Sequence, residues 1–129
     1  MLNAFKSWLS RHRAKKAAWH QAWNGADVYG DDGLTNFQRS ALASLEQALG
    51  PLTLVEASGT AGRHLTGKIP ETDLTLYLYT DELGAQGTSQ RFIREKWDCD
   101  TPEAMVGEFV AFVRSQPGYR AIGSSDSRF

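Results

Sequence analysis

The feature that most limits the fold is a change of period at Gly50-Pro51. Before it, Phe37, Ala41, Leu42, Leu45, Ala48 and Leu49 recur at helical spacing. After it, Leu74, Leu76 and Leu78 alternate strictly with Thr75, Tyr77 and Tyr79. A repeat of about 3.6 residues lines one stripe of a helix, and a repeat of two lines one face of a strand. A chain holding both patterns, each apolar on one side, has to pack helix against sheet.

The punctuation around these patterns supplies the elements. The first helix runs from Leu2 to about Trp23, with Leu2, Phe5, Trp8, Leu9, Trp19 and Trp23 on one stripe and Lys6, Arg11, Arg13 and Lys16 off it. Asn24-Gly25 stops it, since both residues tolerate the left-handed conformation that ends helices. Residues 25–34 read as an exposed loop. The second helix starts at Thr35 or Asn36, with Gln38 three residues after Thr35 in capping-box spacing, and closes at Gly50-Pro51. Strands are expected over 52–58, 63–69, 74–80 and 90–97. In the second, Leu65 and Ile69 face one way and His64, Thr66 and Lys68 the other, with His64 read as facing solvent. Gly84 to Ser89 reads as a turn. Asp100-Thr101-Pro102-Glu103 opens a last helix with a capping residue, a proline in the first turn and an acid at the positive dipole end. Met105, Val106, Phe109, Val110, Phe112 and Val113 form its apolar side, and Gln116-Pro117-Gly118 ends it.

The expected architecture is therefore α+β: a four-stranded antiparallel meander packed by helices, in the order α-α-β-β-β-β-α. It forms a single domain over 1–129, with a basic helix over 1–24, a core over 35–116 and a flexible tail over 119–129.

Charge is distributed unevenly. Residues 1–26 hold five of the fourteen Lys and Arg and none of the fifteen acids, a net of +5. The remaining 103 residues carry nine basic and fifteen acidic side chains, a net of −6. Cys99 is the single cysteine, which rules out an intramolecular disulfide and favours a reducing, cytoplasmic location. No apolar run reaches the roughly 20 residues of a membrane span, and the N-terminus lacks the continuous apolar stretch of a signal peptide.

Residues for chemistry are sparse. His12 and His20 stand about 12 Å apart along a helix, too far to share a metal, and His64 is remote in sequence. Asp98-Cys99-Asp100 lacks the further carboxylates and glycine of a calcium loop, and Asp100 or Thr101 is better read as a cap. Asp31-Asp32-Gly33 reads as a turn. Gly59-Thr60-Ala61-Gly62-Arg63 lacks the Gly-Lys-Ser/Thr of a phosphate loop. The expectation is a binding protein and not an enzyme, with no cofactor and no catalytic or metal-ligating set.

Two surfaces suit a partner. If Leu74, Leu76 and Leu78 meet the helices, Tyr77 and Tyr79 face the other way, with Trp97 and the acids Asp81, Glu82, Asp98 and Asp100 at strand ends nearby. Tyr77, Tyr79, Asp81, Glu82, Trp97 and Asp98 are the candidate partner-binding residues, because tyrosine and tryptophan bury area while keeping a polar atom for bonding. Either this face is free, or the first helix covers it with Trp8, Trp19 and Trp23 stacked on the tyrosines. The basic helix is the second surface. It either docks on its own acidic body, the favoured arrangement, or lies on an anionic membrane or in a partner's groove. Nucleic acid is not expected as a partner, because the acidic body would repel phosphate.

From Ile69 onward the chain resembles small bacterial immunity proteins that neutralise toxins of polymorphic-toxin and type VI secretion systems. The likeness is carried by the run from Ile69-Pro70-Glu71-Thr72-Asp73 through Leu74 and Tyr79 to Asp81-Glu82, by Phe92 to Trp97-Asp98, and by Asp100-Thr101-Pro102-Glu103 with the helix holding Phe109. It covers the C-terminal half as a pattern, and no family residue role transfers to a numbered position. The resemblance implies a stoichiometric inhibitor, monomeric, that binds a cognate toxin protein. The alternatives are a secretion chaperone or adaptor for an effector, usually dimeric, and a peripheral membrane protein using the first helix.

Overall fold

The computed structural model describes residues 2–59, 62–117 and 119, and within the first helix not the side chains of residues 2, 3, 5 and 12. The chain begins with two helices, α1 (Leu2–Ala22) and α2 (Asn36–Leu49). Five strands follow: β1 (Val55–Gly59), β2 (Gly62–Lys68), β3 (Thr75–Leu78), β4 (Glu82–Gln86) and β5 (Arg91–Glu95). A one-turn 3-10 helix (Lys96–Asp98) then leads into α3 (Pro102–Arg114). The α+β class and the antiparallel sheet packed by helices match the expectation, and the strand count does not. The sheet has five strands in the order β1-β2-β3-β4-β5, every neighbouring pair antiparallel.

The extra strand is β4, whose Gly84, Ala85 and Gln86 fall in the stretch from Gly84 to Ser89 expected to turn. Glu82, Gly84, Ala85 and Gln86 are weak strand formers, so composition argued for a turn. Pairing on both sides overrides that weakness. Leu78 pairs with Leu83 and Gln86 with Arg91, while the loops at either end are closed by Tyr79 N–H donating to Glu82 O (2.9 Å) and Gly87 N–H donating to Gln90 O (2.7 Å). Two loops of two residues leave room for a five-residue strand between them. The last strand is also shorter than expected, since Lys96, Trp97 and Asp98 wind into the 3-10 turn.

The cap signals operate as the sequence suggested. Thr35 accepts from Gln38 N–H (3.1 Å) while the Gln38 side chain accepts from Thr35 N–H (3.0 Å), completing a capping box at α2. Both residues are buried, and Gln38 Nε2 also donates to Leu78 O on β3 (3.2 Å), tying the helix start to the sheet. Gly50 ends α2 at φ 88°, a conformation that suits glycine. At α3 the cap is Thr101, whose hydroxyl accepts from Ala104 N–H (2.9 Å), with proline in the first turn.

The core lies between one sheet face and helices α2 and α3. Leu74, Leu76, Leu78 and Leu83 are fully buried, as are Leu45, Met105, Phe109 and Val113 from the helices. Phe92 on β5 stacks on Phe112 (5.0 Å) and meets Phe109 edge-on (5.7 Å), which fastens α3 over that edge of the sheet. Each such large apolar side chain contributes about 1.5–3 kcal/mol on burial.

The first helix docks through its last turn. Trp19 Nε1 donates to Cys99 O (2.8 Å) and Trp23 Nε1 to the same oxygen (3.2 Å). Trp19 stacks on Trp97 (5.8 Å) and Trp23 packs on Phe37 (5.5 Å). Further back along α1, Lys6, Trp8, Arg11 and Arg13 to Ala18 are exposed. Of the tail expected over 119–129, all but Tyr119 lies outside the described residues. Among the described residues, no helix is long and apolar enough to cross a membrane.

Candidate protein-binding face

The period-two alternation sends Tyr77 to the sheet face opposite Leu76 and Leu78. Register then decides which residues share that face. Tyr77 lies opposite Thr66 of β2 and Gly84 of β4, and Gly84 lies opposite Ile93 of β5. One row along, Glu82 is opposite Glu95, and on the other side Gln86 is opposite Arg91.

Because Gly84 has no side chain, the row through Tyr77 and Ile93 is interrupted, and a slot of about 220 Å³ opens there. Its lining includes Tyr77, Tyr79, Glu82, Gly84, Arg91 and Ile93. A Cβ on Gly84 would stand 2.9 Å from Phe92 O and 3.3 Å from Ile93 Cγ1, so a larger residue would crowd both the backbone of β5 and the slot floor.

The slot is acidic at one end. Burial, then the negative charges of Glu95 and Asp81, push the Glu82 carboxyl above its ordinary value, and only Arg91 opposes them. Among the described residues no Lys or Arg forms an ion pair with Asp81, Glu82 or Glu95. Like charges directly opposite one another on neighbouring strands destabilise the pairing.

The ring partner of both tyrosines among the described residues is His64. Tyr79 stacks on His64 (4.4 Å) and Tyr77 lies tilted beside the same ring (5.8 Å). His64 is on the expected face but is buried, at 8% exposure, instead of facing solvent, because the tyrosine rings cover it. Its Nδ1 lies 3.2 Å from Gly62 O. The signal missed in the sequence was the cross-strand pairing of His64 with two aromatic neighbours, which alternation alone cannot reveal.

Of the six candidate residues, Tyr77, Tyr79 and Glu82 line the slot, and Asp81 sits in the turn beside it. Trp97 and Asp98 go elsewhere. Asp98 accepts from Glu95 N–H (3.2 Å) and so caps the 3-10 turn. Trp97, 62% exposed, stacks on Trp19 and lines a separate cleft of about 400 Å³ with Lys15, Lys16, His20 and Asp100. Gly84 and Ile93 were missed as site residues, since their contribution depends on being neighbours across strands.

Cys99 is buried, its carbonyl holds the two indoles, and its thiol lies 3.8 Å from Glu108 Oε2. Burial and the Glu108 carboxylate push the thiol up to about 11. Among the described residues, no group of three or more His, Cys, Asp or Glu is placed to hold a metal ion. Compared with protein-family models, with curated proteins and with solved structures, the chain matches none.

Proposed function

We propose that this protein acts by binding another protein, as an immunity protein that neutralises a cognate bacterial toxin, and that the sheet face bearing Tyr77, Tyr79, Asp81 and Glu82 is the surface it uses. The observation that carries this reading is the slot itself. Two tyrosines and an isoleucine stand around a backbone floor at Gly84, while Trp19 of α1 and the following Trp23 pack on Trp97 and Phe37. Tyrosine-walled, partly buried concavities suit protein recognition, because the rings are rigid and lose little entropy on contact. The unpaired acids beside the slot would speed encounter with a basic partner.

The test is protection from toxicity. The reading frames adjacent to this gene are screened for a toxin, which is expressed in a sensitive host together with the wild-type chain or with Glu82→Lys or Ile93→Asp. Protection by the wild type and its loss with either variant, both still folded by circular dichroism, is the expected result. Full protection by both folded variants would rule out this face, and absence of protection by the wild type would rule out the immunity role.

A further inference from the structure

We propose that the slot at Gly84 accepts the side chain of an arginine from the partner, stacked between Tyr77 and Ile93 with its guanidinium directed to Glu82. This rests on the reading of the sheet face as the binding surface and specifies the partner's chemistry.

The first argument is one of dimensions. Tyr77 and Ile93 stand on β3 and β5 with Gly84 between them, so their backbones are two strand spacings apart, about 9.6 Å. A flat group in contact with a wall on each side needs about 3.5–4.0 Å per side, or about 7–8 Å in all. The slot therefore takes one planar or extended side chain, and a helix of about 10 Å diameter is too wide for it.

The second argument is charge. Glu82 and Glu95 face each other in register, Asp81 adjoins them, and the nearest basic residue on that face, Arg91, is opposite Gln86 towards the other end of the slot. The folded chain thus retains a like-charge repulsion that nothing described within it neutralises by an ion pair. A cation placed beside Glu82 removes the repulsion and gains two attractive carboxylates. Burial first, then the charges of Glu95 and Asp81, raise the affinity of Glu82 for a proton.

The third argument selects arginine over lysine. A guanidinium is planar, stacks on aromatic faces and keeps its in-plane N–H groups for a carboxylate, whereas an ammonium is a compact, strongly hydrated charge. Tyr77 and Tyr79 place aromatic rings in the slot lining, Tyr79 with one face already on His64, and Glu82 supplies the carboxylate at the slot's end.

The test uses the full chain and N-acetyl-arginine amide as the probe, with the neutral isostere N-acetyl-citrulline amide alongside. Amide chemical shifts are followed by two-dimensional NMR. The arginine compound should produce saturable shifts at Tyr77, Gly84 and Ile93 in the millimolar range, about two- to fivefold tighter than citrulline, the size of one modest cation–π contact. Glu82→Gln should bring the arginine response down to that of citrulline. Equal responses to the two compounds, no saturable shift at these amides, or an unchanged response in Glu82→Gln would each overturn the assignment. N-acetyl-lysine amide binding as tightly as the arginine compound would overturn the preference for a planar cation. No toxin is present in this titration, so its failure leaves the protection experiment intact, and loss of the immunity role leaves the slot's preference to be decided here.

Discussion

Alanine in place of glycine should have opposite effects at two positions, and the structure supplies both signs. Gly67 on β2 lies opposite Leu76 and faces the helix layer. A Cβ there would stand 2.4 Å from Thr53 O and 2.7 Å from Leu54 Cδ2, because residues 53–54 cross directly above it. To restore even 3.0 Å the crossing segment must lift by at least 0.6 Å, the difference between 3.0 and 2.4. A backbone oxygen cannot rotate aside, so overpacking of this kind costs about 1–3 kcal/mol. Gly107 lies inside α3, is exposed, and a Cβ there meets nothing within 4 Å. Alanine in a helix interior is favoured over glycine by about 0.8–1.0 kcal/mol. The two variants should therefore separate by about 2–4 kcal/mol, given these two ranges. For a domain of this size each kcal/mol moves Tm by about 3–5 °C, so Gly107→Ala should rise by about that amount and Gly67→Ala fall by about 3–15 °C. Urea unfolding followed by tryptophan fluorescence gives the free energies, with the m-value required to stay constant. A Gly67→Ala protein within about 0.3 kcal/mol of wild type would refute the crossing of residues 53–54 over β2. A destabilised Gly107→Ala would refute the open face of α3.

Other consequences follow from buried polar groups. Gln38→Ala removes half of the capping box and the side-chain donor to Leu78 O, so it should cost about 1–2 kcal/mol in the same urea assay. Glu82 binds its proton more tightly when folded than unfolded, so its ionisation lowers stability as pH rises through the unfolded value and on past the raised folded one. Glu82→Gln should accordingly be more stable than wild type at pH 7 and equal to it at pH 3.5; equal stability at both would remove the repulsion inferred around the slot. Cys99, with its thiol near 11, should resist Ellman's reagent at pH 8 and react at once in 6 M urea, and fast labelling of the native protein would contradict its burial. The same shift means that stability falls above about pH 9, where the unfolded thiol ionises first.

The structure also changes which variants test the binding face cleanly. Tyr79 would seem an obvious choice, but its ring covers His64 at 4.4 Å, so truncating it would expose a buried imidazole. Glu82 and Ile93 line the slot without supporting such a stack, which is why the protection test uses them.

Much of the fold was legible because its signals are short-ranged. The capping box at Thr35 and Gln38, the stop at Gly50, the cap at Thr101 and the alternation of Leu74, Leu76 and Leu78 each depend on residues within a few positions of one another. Local propensity and local periodicity act on the same scale, so they agree with the final structure. β4 escaped because its own residues favour a turn, and only pairing with β3 and β5 makes it a strand. His64 was read with the correct face and the wrong exposure for the same reason, since its cover comes from tyrosines on the next strand.

By itself, then, the amino-acid order determined the helices, their ends, the antiparallel character of the sheet and the side of β3 that carries the tyrosines. Tertiary structure alone decided that the first helix docks by Trp19 and the following Trp23 onto Cys99. It also decided that Gly84 falls between Tyr77 and Ile93 and that Glu82 faces Glu95. The reason is register: a shift of one residue in any pairing would send these side chains to the opposite face, and register is set jointly by the two tight loops and the buried leucines, not by any residue in the slot.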